Sequence, residues 1–459
     1  MTGYRLHIDR NWDRYVGELL DFLAIPSVSA LPQHAPDVAR AADWVAARMR
    51  AAGIENVQVL PTGGHPVVYG NWLHAPGTPT VLVYGHFDTQ PADPLELWHH
   101  PPFSPHRDSD RVYARGASDD KGSMLIPILA AEALLRTEGR LPLNVKFLFE
   151  GQEEIGSPQL GALIAARRDL LRCDLVVNAD GGQESEDQPA LCIASRGLCA
   201  VQVDVRGPAS DLHSGVHGGA VQNPIHALVR ILDSLRGPDG VIRVSGFYDR
   251  VRPLSDEERV QIATVPFRDE DYMAELGVPA LFGEAGYSTL ERRWARPTLE
   301  VNGIWGGFQG EGVKTVLPAE AHAKITCRLV PDQDPAEVQE LIARHVEAHT
   351  PPGVRVAVRR LEGLARPYRI PPEHPANRIA HGVLEAVYGR PPVYVRTGAT
   401  IPVLAMFFSL LGVHTLTFGF GLPDENIHAP NEFFRLSSFR RGLEAYGLLF
   451  ERLAGLPTG

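Results

Sequence analysis

The sequence predicts an α/β protein in which a domain built on a mixed, largely parallel sheet is interrupted by an inserted α+β domain. Three observations carry that expectation. Short β-branched runs alternate with helical segments toward both ends of the chain, the rhythm changes between about residues 197 and 363, and 459 residues exceed the size at which one hydrophobic core usually stops growing. The expected boundaries are 1–197 and 366–459 for the two parts of the first domain and 198–365 for the insert.

Apolar periodicity predicts helices over 12–23 and 35–52, the second closed by Gly53 as its C-terminal cap. Strands are expected at 57–60, 67–72, 80–84, 145–149 and 175–178, with a helix over 121–135. From 197 the order becomes strand 199–206, helix 223–235, strands 298–303 and 321–330, helix 335–349 and strand 354–360. That β-α-β-β-α-β succession is ferredoxin-like. A polar stretch, 243–296, reads as an irregular insertion within it. The α/β rhythm then returns with helices over 375–388 and 401–411, a strand at 415–418 and a last helix from Leu436.

Composition narrows the class of partner. Lys plus Arg is 44 against 55 for Asp plus Glu, a net charge of -11, which disfavours nucleic acid and anionic membranes and leaves a small molecule as the expected ligand. The N-terminus shows no basic segment followed by an apolar stretch, and the longest apolar runs fall short of the ~20 residues that span a bilayer. The four cysteines, Cys173, Cys192, Cys199 and Cys327, have no close pairing and sit beside apolar runs. Buried thiols in a reducing cytoplasm are the expectation.

The chemistry gathers beyond strand ends, where open α/β sheets place their crevices. PTVLVYGHFD runs into His86 and Asp88, NVKFLFEGQEE into Glu153 and Glu154, and LVVNAD into Asp180. RGASDD sets Asp119 before a helix, and TLTFGFGLPDENIH brings in His428 after another strand. So many carboxylates at one edge would repel one another without counter-charge, and a cation resolves this. Two imidazoles with carboxylates and no thiolate suit zinc, and less specifically manganese or cobalt. Asp119 is expected to bridge two divalent ions, with His86 and Asp180 on one and Glu154 and His428 on the other. Glu153 is the expected general base, and Asp88 the partner of the other nitrogen of His86.

YGHFDTQP, ARGASDDKG, EGQEEIGS, NADGG and ENIHAPNE resemble, in order and spacing, the motifs of the dinuclear zinc metallopeptidases that include carnosinase, acetylornithine deacetylase, succinyl-diaminopimelate desuccinylase and glutamate carboxypeptidase. The resemblance covers almost the whole chain and implies a zinc-peptidase-like catalytic domain whose insert serves as lid and dimerisation domain. DLHSGVHGG, GVKTVLP, CRLVP and RTGATIPV look like the dipeptidase branch. That branch implies that His213 reaches a neighbouring subunit's site and stabilises the oxyanion there, that Arg328 takes the substrate carboxylate, and that Gly398 and Thr400 lie near the substrate backbone. The expected protein is therefore a cytoplasmic homodimer that hydrolyses dipeptides or short peptides. An N-acyl amino acid deacylase on the same site and a metal-binding relative without activity are the alternatives.

Gln152 and Ala399 with Thr400 depart from residues common in the family, which bears on substrate preference. GFQGEGVKT lacks the Lys directly after its last Gly that a P-loop needs, and the nucleophile elbow G-x-S-x-G of serine hydrolases is absent.

Overall fold

The β-branched runs form strands and the periodic segments form helices in a computed structural model that describes residues 3–457. Two principal sheets use β1 (Glu55–Leu60), β2 (Val67–Trp72), β3 (Thr80–His86), β4 (Asn144–Glu150), β5 (Leu175–Asn178), β6 (Gly197–Arg206), β7 (Thr298–Gly306), β8 (Glu320–Leu329), β9 (Arg355–Arg360) and β10 (Thr415–Thr417). The chain divides into two units. One runs to Ile193 and resumes over Ile370–Val395 and from Met406 onward, and the other comprises Ala194–Arg369 with Arg396–Ala405.

The first unit holds a six-stranded sheet in the order β1-β2-β4-β3-β5-β10. Its β1–β2 and β2–β4 pairs are antiparallel, while β4–β3, β3–β5 and β5–β10 are parallel. Strands β2 to β5 are buried along nearly their whole length, the pattern of strands covered on both faces. The helix Gly122–Glu138 is buried on every side from Gly122 to Leu134, which its nearly unbroken apolar sequence requires, and it packs against the C-terminal helix Leu436–Leu453. Each fully buried Leu, Ile or Phe there contributes about 1.5–3 kcal/mol through the hydrophobic effect.

In the second unit the order is β7-β8-β6-β9, every pair antiparallel. Numbered by chain position this is 4-1-3-2 read from β9, the ferredoxin-like arrangement. Strand alternation sends Cys199, Val201, Val203 and Val205 of β6 and Ala321, Ala323, Ile325 and Cys327 of β8 into one core with the helices Pro224–Ser234 and Pro335–Ala348. Both helices start on side-chain caps. Asn223 accepts from the Ile225 N–H, and Asp334 from those of Ala336 and Glu337.

The stretch 243–296, expected to be irregular, instead contains three helices, Asp256–Ala263, Asp269–Leu276 and Thr289–Ala295. Two of them open with capping boxes, Ser255 with Glu258 and Ser288 with Glu291, so local hydrogen bonds compensate for a weak apolar stripe. The sequence reading also missed the helix Gly3–Arg10, anchored by buried Tyr4 and Ile8. Among the described residues the four cysteines form no disulfide; Cys199 and Cys327 are buried opposite each other on β6 and β8, whereas Cys173 and Cys192 are half-buried. No helix of the described residues is long and apolar enough to cross a membrane.

Candidate metal centre

Strands β4, β3, β5 and β10 run parallel, so the turns that leave their C-terminal ends converge at one sheet edge. His86 is the last residue of β3 and pairs with Glu150 of β4. Glu153 and Glu154 begin a 3₁₀ turn just after β4, and Asp180 lies two residues beyond β5. Asn178 braces that last turn: its amide donates to the Asp180 carbonyl and its side-chain oxygen accepts from the Asp180 N–H. His428 arrives in the loop after β10 with φ of 63°, a left-handed conformation that costs a non-glycine residue energy.

Five side chains meet there. His86 Nε2 lies 3.0 Å from Asp119 Oδ1, and His428 Nε2 lies 3.0 Å from Asp119 Oδ2. His428 Nε2 is also 3.2 Å from Glu154 Oε2. The donor atoms of His86, Asp119 and Asp180 lie within 4.8 Å of one another, as do those of Asp119, Glu154 and His428. Asp119 belongs to both groups and faces each with a different oxygen.

Two imidazole nitrogens and three carboxylates, arranged as two compact groups sharing one carboxylate, fit a pair of zinc-type divalent ions in number and chemistry. The electrostatics point the same way. The carboxylates of Asp119 and Glu154 push His428 up to about 10, and those of Asp119 and Asp88 raise His86 against the effect of its burial. Burial, then the charge of Asp119, pushes Asp180 up to about 7. Burial also raises Glu153 well above the carboxylate range, with His86 opposing and Asp180 and Glu154 adding to it. An imidazolium between carboxylates and a metal ion between the same groups meet the same demand for positive charge.

Asp88 is more than a partner for one nitrogen. Its two carboxylate oxygens accept the N–H groups of Glu153 and Glu154, each at 3.1 Å. Toward His86 Nδ1 it offers its carbonyl oxygen at 3.2 Å and its carboxylate at 3.4 Å. The residue thus ties the turn after β4 to the histidine that ends β3.

Sequence reasoning assigned no role to several residues that hold this edge. Buried Glu432 accepts from Arg115 Nη1 at 2.6 Å and from the N–H groups of Gly116, Ser118 and Asp119 at 2.9, 3.0 and 3.1 Å. Gly116 sits at φ 81°, and a Cβ there would meet Thr89 at 2.4 Å. Asp120 accepts from the His86 N–H, and Gln90 donates to Glu154 Oε2 at 2.9 Å. Buried Lys121 donates to the carbonyls of Ile25 and Phe22. All of them lie inside the motifs YGHFDTQP, ARGASDDKG and ENIHAPNE, but nothing in the sequence shows which partners they meet.

The remaining expected site residues belong to the second unit. His213 is exposed and caps the short helix Ser214–His217, its Nδ1 accepting from the Gly215 N–H at 3.0 Å. That bond leaves the proton on Nε2, which becomes a donor. His213 pairs with Val316, joining the HSG and KTVLP motifs. Arg328 Nη1 donates to Thr400 Oγ1 at 2.7 Å, and the Gly398 carbonyl accepts from Arg196 Nε at 2.9 Å.

Comparison with known proteins places this geometry in context. Residues 82–452 match the model of Peptidase family M20/M25/M40. The chain is 32% identical to the Cys-Gly metallodipeptidase dug1 of Schizosaccharomyces pombe, over 98% of this chain and 97% of that protein. It is 30% identical to the Beta-Ala-His dipeptidase of Rattus norvegicus, covering 99% and 95%. Among solved structures it resembles the di-peptidase Dug1p of Saccharomyces cerevisiae, with a TM-score of 0.80 at 27% identity over 99% of this chain and 98% of that one. Human carnosine dipeptidase 1 gives 0.79 at 29% identity, again over 99% and 98%.

Proposed function

The chain belongs to Peptidase family M20/M25/M40 and is a metallopeptidase, and from that premise we propose that it hydrolyses the amide bond of dipeptides or short peptides at the cluster of His86, Asp119, Glu154, Asp180 and His428. The observation that carries the site assignment is the shared carboxylate, Asp119, facing a histidine with each of its oxygens. Two divalent ions bound there, zinc before manganese or cobalt, would supply Lewis acidity for the scissile carbonyl and acidify the attacking water.

The chain's own residues do the rest. Glu153 takes the proton from the water and returns it to the departing amine, a role suited to a buried carboxylate whose proton affinity has been raised. Asp88 keeps Glu153 oriented through the backbone N–H it accepts. The Nε2–H of His213, acting from the second subunit of a homodimer, hydrogen-bonds the oxyanion as the carbonyl becomes tetrahedral. Arg328 pairs with the substrate's carboxylate, while Gly398 and Thr400 position its backbone. Collapse of the tetrahedral species breaks the C–N bond and releases a carboxylate and an amine.

The homodimer is supported by β7, an edge strand that presents Val301, Ile304 and Trp305 to solvent. Exposed apolar edges of this kind call for a partner. A cytoplasmic location is supported by the absence of any disulfide among the four described cysteines. The relatives named above are dipeptidases, which favours peptides over N-acyl amino acids as substrates.

A panel of dipeptides, tripeptides and N-acyl amino acids, assayed with zinc, manganese or cobalt added, tests the proposal. Dipeptides are expected to turn over fastest, and Glu153→Ala to keep its metal while losing about 10²- to 10⁴-fold in kcat. Turnover confined to N-acyl amino acids would overturn the substrate assignment, and full activity of Glu153→Ala the assignment of the base.

A further inference from the structure

The second unit contains a cavity of about 190 Å³ whose wall includes none of the residues assigned to the proposed reaction. Arginines dominate its wall: Arg196, Arg236, Arg292, Arg293 and Arg296 line it, with Glu284 and Glu300 as its acidic groups. Both acids are already engaged. Glu284 takes Arg296 in a two-pronged pair at 2.6 and 2.7 Å, and Glu300 lies 3.6 Å from Arg236. Among the described residues Arg196, Arg292 and Arg293 have no carboxylate within ion-pair distance; Arg292 Nε donates to the Glu284 carbonyl and Arg293 lies over Tyr272, so five arginines share two carboxylates.

Arg196 is the most constrained of them. Its Nε donates to the Gly398 carbonyl and its backbone N–H to the Ala399 carbonyl, which fixes the guanidinium in place, while its Nη1 is buried without a hydrogen-bond partner. A buried donor of a charged group left unsatisfied is costly, and an oxyanion in the cavity would satisfy it. Burial above all, then the charges of Arg328 and Arg293, lowers this arginine to about 10. Phe282 adds an apolar wall, so the cavity offers guanidinium donors beside a hydrophobic surface.

We propose that this cavity is a binding site for a small oxyanion carrying at least two negative charges, a phosphate or a dicarboxylate, held by Arg196 and Arg292. Planar guanidinium forks match either oxyanion through paired charge-assisted hydrogen bonds. The site is distinct in chemistry from the carboxylate-rich cluster of the first unit, which would repel such a ligand unless metal were bound.

Calorimetric titration of the full chain with inorganic phosphate, and separately with succinate, tests this, with ionic strength held constant by sodium chloride. Saturable binding of at least one of them is expected, and which one binds identifies the oxyanion. The same binding is expected in Asp119→Ala, which lacks the shared carboxylate of the metal centre. Arg196→Gln is expected to weaken it by about tenfold or more. Should Arg196→Gln fail to melt cooperatively, Arg292→Gln decides in its place. No saturable binding of either anion, binding lost in Asp119→Ala, or binding unchanged in the deciding arginine variant overturns the proposal. Dipeptide hydrolysis in the absence of either anion is unaffected by these outcomes, so the proposed function stands or falls separately.

Discussion

Glu432 shows how the proposed centre depends on a residue that need not touch metal. Its two oxygens accept four donors from the segment around Asp119, so the position of the shared carboxylate is set by a side chain 313 residues away in sequence. Glu432→Gln replaces one acceptor oxygen with a donor and turns it against N–H groups. Metal affinity, measured by competition with a chromophoric chelator, is expected to fall about 10- to 100-fold while the fold is kept. Unchanged affinity would contradict the clamp. The candidate ligands stand out in the sequence because a strand end is a local pattern: an apolar run that stops on His86, or on Asn178 and Asp180, can be read directly. Glu432 was not, because its partners converge only after folding. The sequence spacing pairs the Asp88 carboxylate with a histidine, yet its strongest bonds go to the Glu153 and Glu154 N–H groups, which no side-chain pattern encodes.

At the scale of elements, the helical stretch inside the second unit depends on charge. Glu258 closes a capping box with Ser255 and also receives Arg252 at 2.7 Å, Arg396 at 2.8 Å and Arg369 at 3.3 Å. Burial pushes its carboxyl up, but the bonds from Arg252 and the Ser255 N–H, with the charge of Arg396, hold it down at about 2. Because the folded value lies below the ordinary 4.5, the stabilisation is complete above about pH 4.5 and is lost as the pH falls from there toward 2. The full effect is about 3 kcal/mol, and Glu258→Gln should remove most of this acid-sensitive component from denaturation curves taken between pH 5 and 3. Identical pH dependence in both proteins would rule it out. The same helices explain why this stretch read as irregular. Their apolar stripes are thin, so periodicity missed them, although S-D-E-E and S-T-L-E were visible as capping signals. Strands β2 and β5 and the helix Pro375–Tyr388, with strong patterns of their own, match the expected bounds to the residue.

For the whole molecule, the proposal makes catalysis a property of the dimer. His213 sits exposed on the second unit, with Nδ1 taken by the Gly215 N–H and Nε2 left as a donor. His213→Ala should lower kcat about 10²- to 10³-fold with metal content and dimer unchanged. Mixing it with Glu153→Ala should restore part of the activity, because a mixed dimer contains one site with both residues intact; no recovery after subunit exchange would contradict action across the interface. The central claim is narrower, that Asp119 is shared by two metal ions. Elemental analysis of the zinc-reconstituted protein tests it most directly. The account predicts close to two zinc ions per wild-type chain and loss of both in Asp119→Ala, whereas a wild-type chain that binds none, or an Asp119→Ala chain that keeps two, would contradict it.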